Sequence, residues 1–263
     1  MTETGQILTR MEGRVGYLVV NNPKRHNAVS LAMWERAAEV LGEFAQNPDI
    51  FVVVLTGAGN KAFVSGADIS KFEHERGTKE AVDRYSKAVD RAFTAVHTMP
   101  KPTIALIRGY CVGGGLGLAS NCDIRIANEE ARFAMPAAKL GLGYDVNGIR
   151  RFVEVLGPSF AKEMFFTARQ FDAKEASAMG FVNRVVSDAE IEGYVRDYAG
   201  MIADNAPLTI ASVKFIVGEL LKDESKRDLA HSKELVQRCF ASNDYQEGRR
   251  AFMEKRKPVF TGT

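Results

Sequence analysis

TIALIRGYCVGGGLGLASNCDIRIAN, residues 103–128, is the stretch from which the whole chain is read. Its apolar run at 103–107 has the length of a buried strand, and 123–127 is a second run of the same kind. Between them Gly113, Gly114 and Gly115 lead into a short helix of small residues at 116–120. Three consecutive glycines at a strand-to-helix junction remove every β-carbon from a place where backbone meets ligand. Their N–H groups lie at or near a helix N-terminus, where partial positive charge gathers. The junction is therefore a donor site for an oxygen that carries negative charge.

Upstream, VGYLVVN at 15–21 reads as a strand closed by Asn21-Asn22-Pro23, and the charged loop Lys24-Arg25-His26 follows. Ser30 is placed to cap a helix over 31–44, and IFVVVL at 50–55 reads as a buried strand. Residues 57–62, GAGNKA, superficially match a dinucleotide fingerprint. That fingerprint needs a helix to open at once, whereas 63–68 reads as a short strand and turn, so 57–61 is an ordinary loop. A helix over 79–98 ends at Met99-Pro100-Lys101-Pro102. Downstream come a short apolar piece at 131–135, helical patterns at 148–156, 159–167 and 173–179, and a strand at 181–186. Four helices then cover 189–205, 208–221, 230–242 and 245–255. The expected architecture is an α/β core over 1–200 with a helical region over 201–263, joined without linker composition into one unit.

Composition narrows the partners. The chain has 263 residues, 46% apolar and 26% charged, with 35 basic and 33 acidic side chains. A formal net charge of +2 gives no bulk reason to expect nucleic acid or a membrane surface. No apolar run approaches the roughly 20 residues that span a bilayer, and the N-terminus lacks the pattern of a signal peptide; a cytoplasmic protein is expected. Cys111, Cys122 and Cys239 have no metal-ligand spacing and read as small hydrophobes in a reducing compartment. The four histidines (His26, His74, His97 and His231) are scattered. No metal and no cofactor is expected. No G-x-S-x-G elbow is present for serine hydrolysis.

Several segments in order resemble the crotonase superfamily, the enoyl-CoA hydratase/isomerase family. They are KAFVSGAD at 61–68, Gly109-Tyr110 with the glycine triplet, CDIRIA at 122–127 and Ala131-Arg132-Phe133. Lys139-Leu140-Gly141, GFVNRVV at 180–186 and EKRKPVF at 254–260 continue the series, which spans almost the whole chain. The resemblance implies a spiral of β-β-α turns, two roughly perpendicular sheets, and C-terminal helices that build a trimer or a dimer of trimers. It implies an acyl-CoA thioester as substrate, with CoA present only as part of that substrate.

In such a protein two backbone N–H groups hold the thioester oxygen as an enolate forms, and the matching residues here are Ala67 and Gly114. Preorganised donors of this kind contribute on the order of 3 kcal/mol each. For CoA the resemblance points to Lys24 and Arg25, to the backbone around Ser65, Asp68 and Ile69, and to Lys255. The hydratase glutamates, two residues after the glycine triplet and directly after the proline of F-x-x-P, fall here on Gly117 and Ala137. Neither side chain can activate water or protonate carbon. Asp145 matches a catalytic aspartate of the dienoyl-CoA isomerase branch and is equally placed to cap the helix beginning near Gly148. Tyr144 resembles a pocket tyrosine of the methylmalonyl-CoA decarboxylase branch, although that branch's oxyanion-turn histidine is Ala67 here; packing is its other reading. Three functions are compatible with this inventory. The first is an enoyl-CoA hydratase or isomerase with Asp145 as acid/base, and the second an acyl-CoA decarboxylase or thioesterase. The third is an acyl-CoA-binding protein without catalysis.

Overall fold

The computed structural model describes residues 5–68, 71, 75 and 77–263. Among these residues ten strands form two sheets, one of six strands in the order β1-β2-β3-β5-β7-β10 and one of four in the order β4-β6-β8-β9. The repeating unit explains this division. β3 (Val52–Gly57) lies in the large sheet, β4 (Ala62–Val64) in the small one, and helix α2 (Lys79–His97) follows. β5 (Thr103–Ile107), β6 (Tyr110–Val112) and helix α3 (Gly114–Asn121) repeat the pattern, and β7 (Ile124–Asn128) with β8 (Arg132–Ala134) begin it again. Each turn adds one parallel strand to each sheet, which is a β-β-α spiral.

The apolar runs become strands covered on both faces, and their side chains alternate between two cores. Val52 and Val54 of β3, Ile104 and Leu106 of β5, and Ile126 of β7 face one cluster with Ile191, Val195 and Ala199 of helix α6 (Ile191–Ala203). Their neighbours Val53, Leu55, Ala105 and Ile107 face the larger core, with helix α1 (Leu31–Gln46) and α2. α1 starts where Ser30 Oγ accepts the Met33 N–H at 3.4 Å, and it buries Met33, Trp34, Ala37, Val40, Leu41 and Phe44 on one stripe. α2 is capped by Thr78 Oγ1, which accepts the Ala81 N–H at 3.2 Å.

One expected element shrinks, and the structure fills in others. Residues 6–12 form β1 (Gln6–Glu12), antiparallel to β2 (Val15–Asn21); this mostly exposed edge strand has little apolar pattern to announce it. The patterns at 148–156 and 159–167 are two helical stretches of α4 (Val146–Thr167), separated as expected by a kink where Gly157 takes non-helical φ 71° and ψ 166° before Pro158. The strand at 181–186 shrinks to β10 (Arg184–Val186), because the Phe181 and Val182 N–H groups close helix α5 (Ala173–Ala178) on the Ala176 carbonyl. The division after residue 200 falls inside α6. Two-residue β9 (Phe171–Asp172) completes the small sheet. Helices α7 (Pro207–Leu220), α8 (Leu229–Ala241) and α9 (Asn243–Glu254) end the chain. Cys111 and Cys122 are buried, Cys239 is half-buried, and all three are free thiols. Among the described residues no helix is long and apolar enough to cross a membrane, and no cluster of metal-ligating side chains occurs.

Candidate active site

β4 and β6 run parallel, pairing Ala62 with Tyr110 and Val64 with Cys111, so the segments that leave their C-terminal ends emerge together. On one side is Gly66-Ala67, on the other Gly113-Gly114. Gly66 (φ 109°) and Gly113 (φ 54°) adopt backbone that side chains resist, and a β-carbon on Gly113 would lie 3.9 Å from Gly66 Cα. Gly115 has no room at all, since its β-carbon would stand 2.1 Å from the Val64 carbonyl oxygen. The glycine triplet therefore presses the start of α3 against the end of β4.

This contact leaves two donors unclaimed. Ala67 forms an isolated parallel bridge with Val29, in which the Val29 N–H donates to the Gly66 carbonyl (2.9 Å) and the Asp68 N–H to the Val29 carbonyl (3.1 Å). That pairing turns the Ala67 N–H the other way. Gly114 is the first residue of α3, so its N–H has no intrahelical acceptor. Neither N–H has a protein acceptor among the described residues. Two orphan N–H groups on adjoining segments, one of them at a helix N-terminus, suit an oxygen with developing negative charge.

The surroundings of Gly114 are aromatic. A β-carbon on Gly114 would lie 3.1 Å from Trp34 Cζ2, and one on Gly117 would lie 2.6 Å from Phe93 Cζ. Trp34 and Phe93 meet edge to face, 5.6 Å between ring centroids. The space in front of Gly117 is therefore occupied by the half-buried Phe93 ring from α2. Ala137 is buried in the 3-10 turn Pro136–Leu140.

Asp145 caps α4, its Oδ1 accepting the Gly148 N–H at 2.8 Å, and its side chain stays exposed. A single cap bond leaves the carboxylate other lone pairs, so capping and proton transfer are compatible. Half-buried Tyr144 packs edge-on against Phe165 at 5.3 Å. Asp90 of α2 was not anticipated from the sequence. Partial burial, and second the charge of Asp145, raise its carboxyl above the ordinary range.

The residues expected to hold CoA divide into two groups. Lys24 and Arg25 occupy an exposed 3-10 turn (Pro23–Arg25), which is tied to the 65–68 segment. The Ser65 N–H donates to the His26 carbonyl (3.2 Å), Ser65 Oγ to the Arg25 carbonyl (3.3 Å), and Arg25 Nη1 pairs with Asp68 Oδ1 at 2.9 Å. Arg25 and Asp68 thus hold each other, and the Asp68 backbone is engaged as well, by the Val29 carbonyl and the Lys71 N–H. These contacts fasten the loop beside Ala67. Ile69 lies outside the described residues, as do Glu73 and His74. Lys255 is the left-handed C-cap of α9, and the chain after it turns back to Arg14 and Asp244.

The spiral recurs in known proteins. The profile of the family described as enoyl-CoA hydratase/isomerase matches residues 10–263. A short-chain-enoyl-CoA hydratase of Clostridium acetobutylicum is 34% identical over 255 residues, covering 97% of both chains. A peroxisomal Delta(3,5)-Delta(2,4)-dienoyl-CoA isomerase of Arabidopsis thaliana is 32% identical over 95% of this chain and 93% of its own. The crystal structure of an enoyl-CoA hydratase/carnithine racemase from Magnetospirillum magneticum superposes with a TM-score of 0.93 at 37% identity, covering 98% of this chain and 96% of that one. The chain belongs to the enoyl-CoA hydratase/isomerase family. Its core is of the crotonase type, and it is an acyl-CoA enzyme of the lyase/isomerase kind.

Proposed function

We propose that the chain binds an acyl-CoA thioester with its carbonyl oxygen between the Ala67 and Gly114 N–H groups, and that Asp145 moves a proton at a neighbouring carbon. The carboxylate takes a proton from the acyl chain, the released electron pair runs to the thioester oxygen, and the enolate is held by the two donors until a proton returns at another carbon. The observation that carries this reading is the pair of unclaimed N–H groups on adjoining segments.

Isomerisation is favoured over hydration. Water addition needs a group to position and activate water, and here Phe93 stands over Gly117 while Ala137 offers no acid or base. The Arabidopsis isomerase among the relatives is consistent with a proton-shifting reaction on this scaffold. Lys24, beside the loop fastened by Arg25 and Asp68, is proposed to meet a CoA phosphate as a point charge. The apolar residues left exposed on the C-terminal helix, Phe252 at 83% and Met253 at 80%, support assembly of copies as a trimer or dimer of trimers.

The test is mass spectrometry of an enoyl-CoA incubated in D2O. Deuterium should enter the acyl chain without net addition of water, and Asp145→Asn should abolish the incorporation while the ester still binds. Loss of CO2 from a malonyl-type ester with no deuterium entering an enoyl-CoA would favour decarboxylation instead. An ester returned unchanged in both assays would refute catalysis at this site.

A further inference from the structure

The two donors sit on different segments, one after β4 and one at the start of α3, and a buried chain of contacts links them from behind. Trp34, 1% exposed, lies under Gly114, with Cζ2 at 3.1 Å from the position of a β-carbon there. Its Nε1–H donates to Tyr85 Oη at 2.9 Å, and Tyr85 Oη–H donates to the Val29 carbonyl at 3.3 Å. Val29 is the bridge partner of Ala67, and that same carbonyl accepts the Asp68 N–H. The path therefore runs from Gly114 through an indole and a phenol to the backbone that brackets Ala67.

We infer that Trp34 and Tyr85 form a strut that sets the separation of the Ala67 and Gly114 N–H groups; they are positioning residues for the oxyanion, and the inference rests on the reading of those two groups as its donors. A buried indole N–H needs some acceptor, and any buried carbonyl would satisfy it. The particular acceptor here is a hydroxyl that is itself bonded to the residue bracing the opposite donor. An oxyanion hole works because its donors are already spaced for the charged oxygen, and displacements near 1 Å cost about a hundredfold in rate. Trp34 on α1 and Tyr85 on α2 come from helices packed on each other, so the spacing is inherited from the buried core.

The experiment uses the full chain and acetoacetyl-CoA, a 3-oxoacyl-CoA whose enolate has an ultraviolet band that the keto form lacks. Wild type should bind it as the enolate. Tyr85→Phe keeps the ring and removes the hydroxyl, and should weaken enolate binding about tenfold while binding of free CoA changes less than about twofold. Trp34→Phe keeps an aromatic ring beneath Gly114, removes the N–H, and provides the second variant should Tyr85→Phe fold poorly. The double variant should lose no more than the larger single loss, because both break the same path. A variant with a lowered melting temperature and an unchanged enolate band would reduce the strut to a packing feature and overturn the inference. Wild type with no enolate band would instead remove the oxyanion hole itself, and the inference with it.

Discussion

Replacing Gly117 by glutamate places a carboxylate where the hydratase pattern has one, and the packing forecasts that the protein resists it. The new β-carbon would stand 2.6 Å from Phe93 Cζ and 2.7 Å from Cε2, far inside van der Waals contact. Phe93 is itself held edge-on against Trp34, so its ring must leave a favourable packing to make room. Overfilling of this kind costs about 1–3 kcal/mol. Desolvating the carboxylate adds to the cost, and the gain from replacing a helical glycine offsets about 0.5–1 kcal/mol. A net loss of about 2 kcal/mol lowers the melting temperature by roughly 4–8 °C for a chain of this size. Phe93→Ala alone removes a half-buried ring, at about 1.5–2.5 kcal/mol, half the usual cost of a fully buried one. In the double variant the glutamate occupies the vacated volume, so the two losses should fall short of their sum by at least about 1 kcal/mol. Urea denaturation of wild type, both single variants and the double variant measures this coupling. Gly117→Glu with wild-type stability, or strictly additive losses, would refute the claim that Phe93 fills the space before Gly117.

Three further outcomes follow from the same structure. Asp145→Ala removes the acceptor of the Gly148 N–H and should cost about 1 kcal/mol, whereas Asp145→Asn keeps the cap; denaturation should separate the two variants, and deuterium incorporation should be lost in both. Asp90 has a folded pKa raised by burial and then by Asp145, so it binds more protons folded than unfolded, and its contribution to stability falls as pH rises from the ordinary aspartate value through the raised one. Asp90→Asn should therefore exceed wild type in urea midpoint at about pH 7 and match it at about pH 3; an equal gain at both would contradict the assignment. Burial raises the Cys111 thiol well above its ordinary value and pushes Cys122 up to about 12, so a thiol reagent at about pH 8 should spare both in the native protein and modify all three cysteines after unfolding.

Residues 103–128 reveal their strand, glycine turn and helix because each carries a local signature: a continuous apolar run, a triplet without side chains, a block of small residues. Gly114 lies in that triplet, whereas Ala67 carries no such signature and was singled out only by the family resemblance. β1 and β6 were not legible. One is a polar edge strand and the other has three residues between glycine turns, so each depends on its neighbours for pairing. Trp34, Tyr85 and Phe93 follow ordinary helical spacing in α1 and α2, and nothing in that pattern separates a core aromatic from one that backs an active site. Asp90 looked like any charged residue on a helix surface until the fold set it near Asp145.

The central claim is that one carbonyl oxygen sits between the Ala67 and Gly114 N–H groups, and infrared difference spectroscopy addresses it most directly. An acyl-CoA carrying 13C at its thioester carbon would be bound to the protein, with the unlabelled ester as reference. Two strong hydrogen bonds draw electrons toward the oxygen and weaken the C=O bond, so the account predicts a bound carbonyl stretch clearly below that of the free ester. A bound ester whose carbonyl stretch stays at its value in water would contradict it.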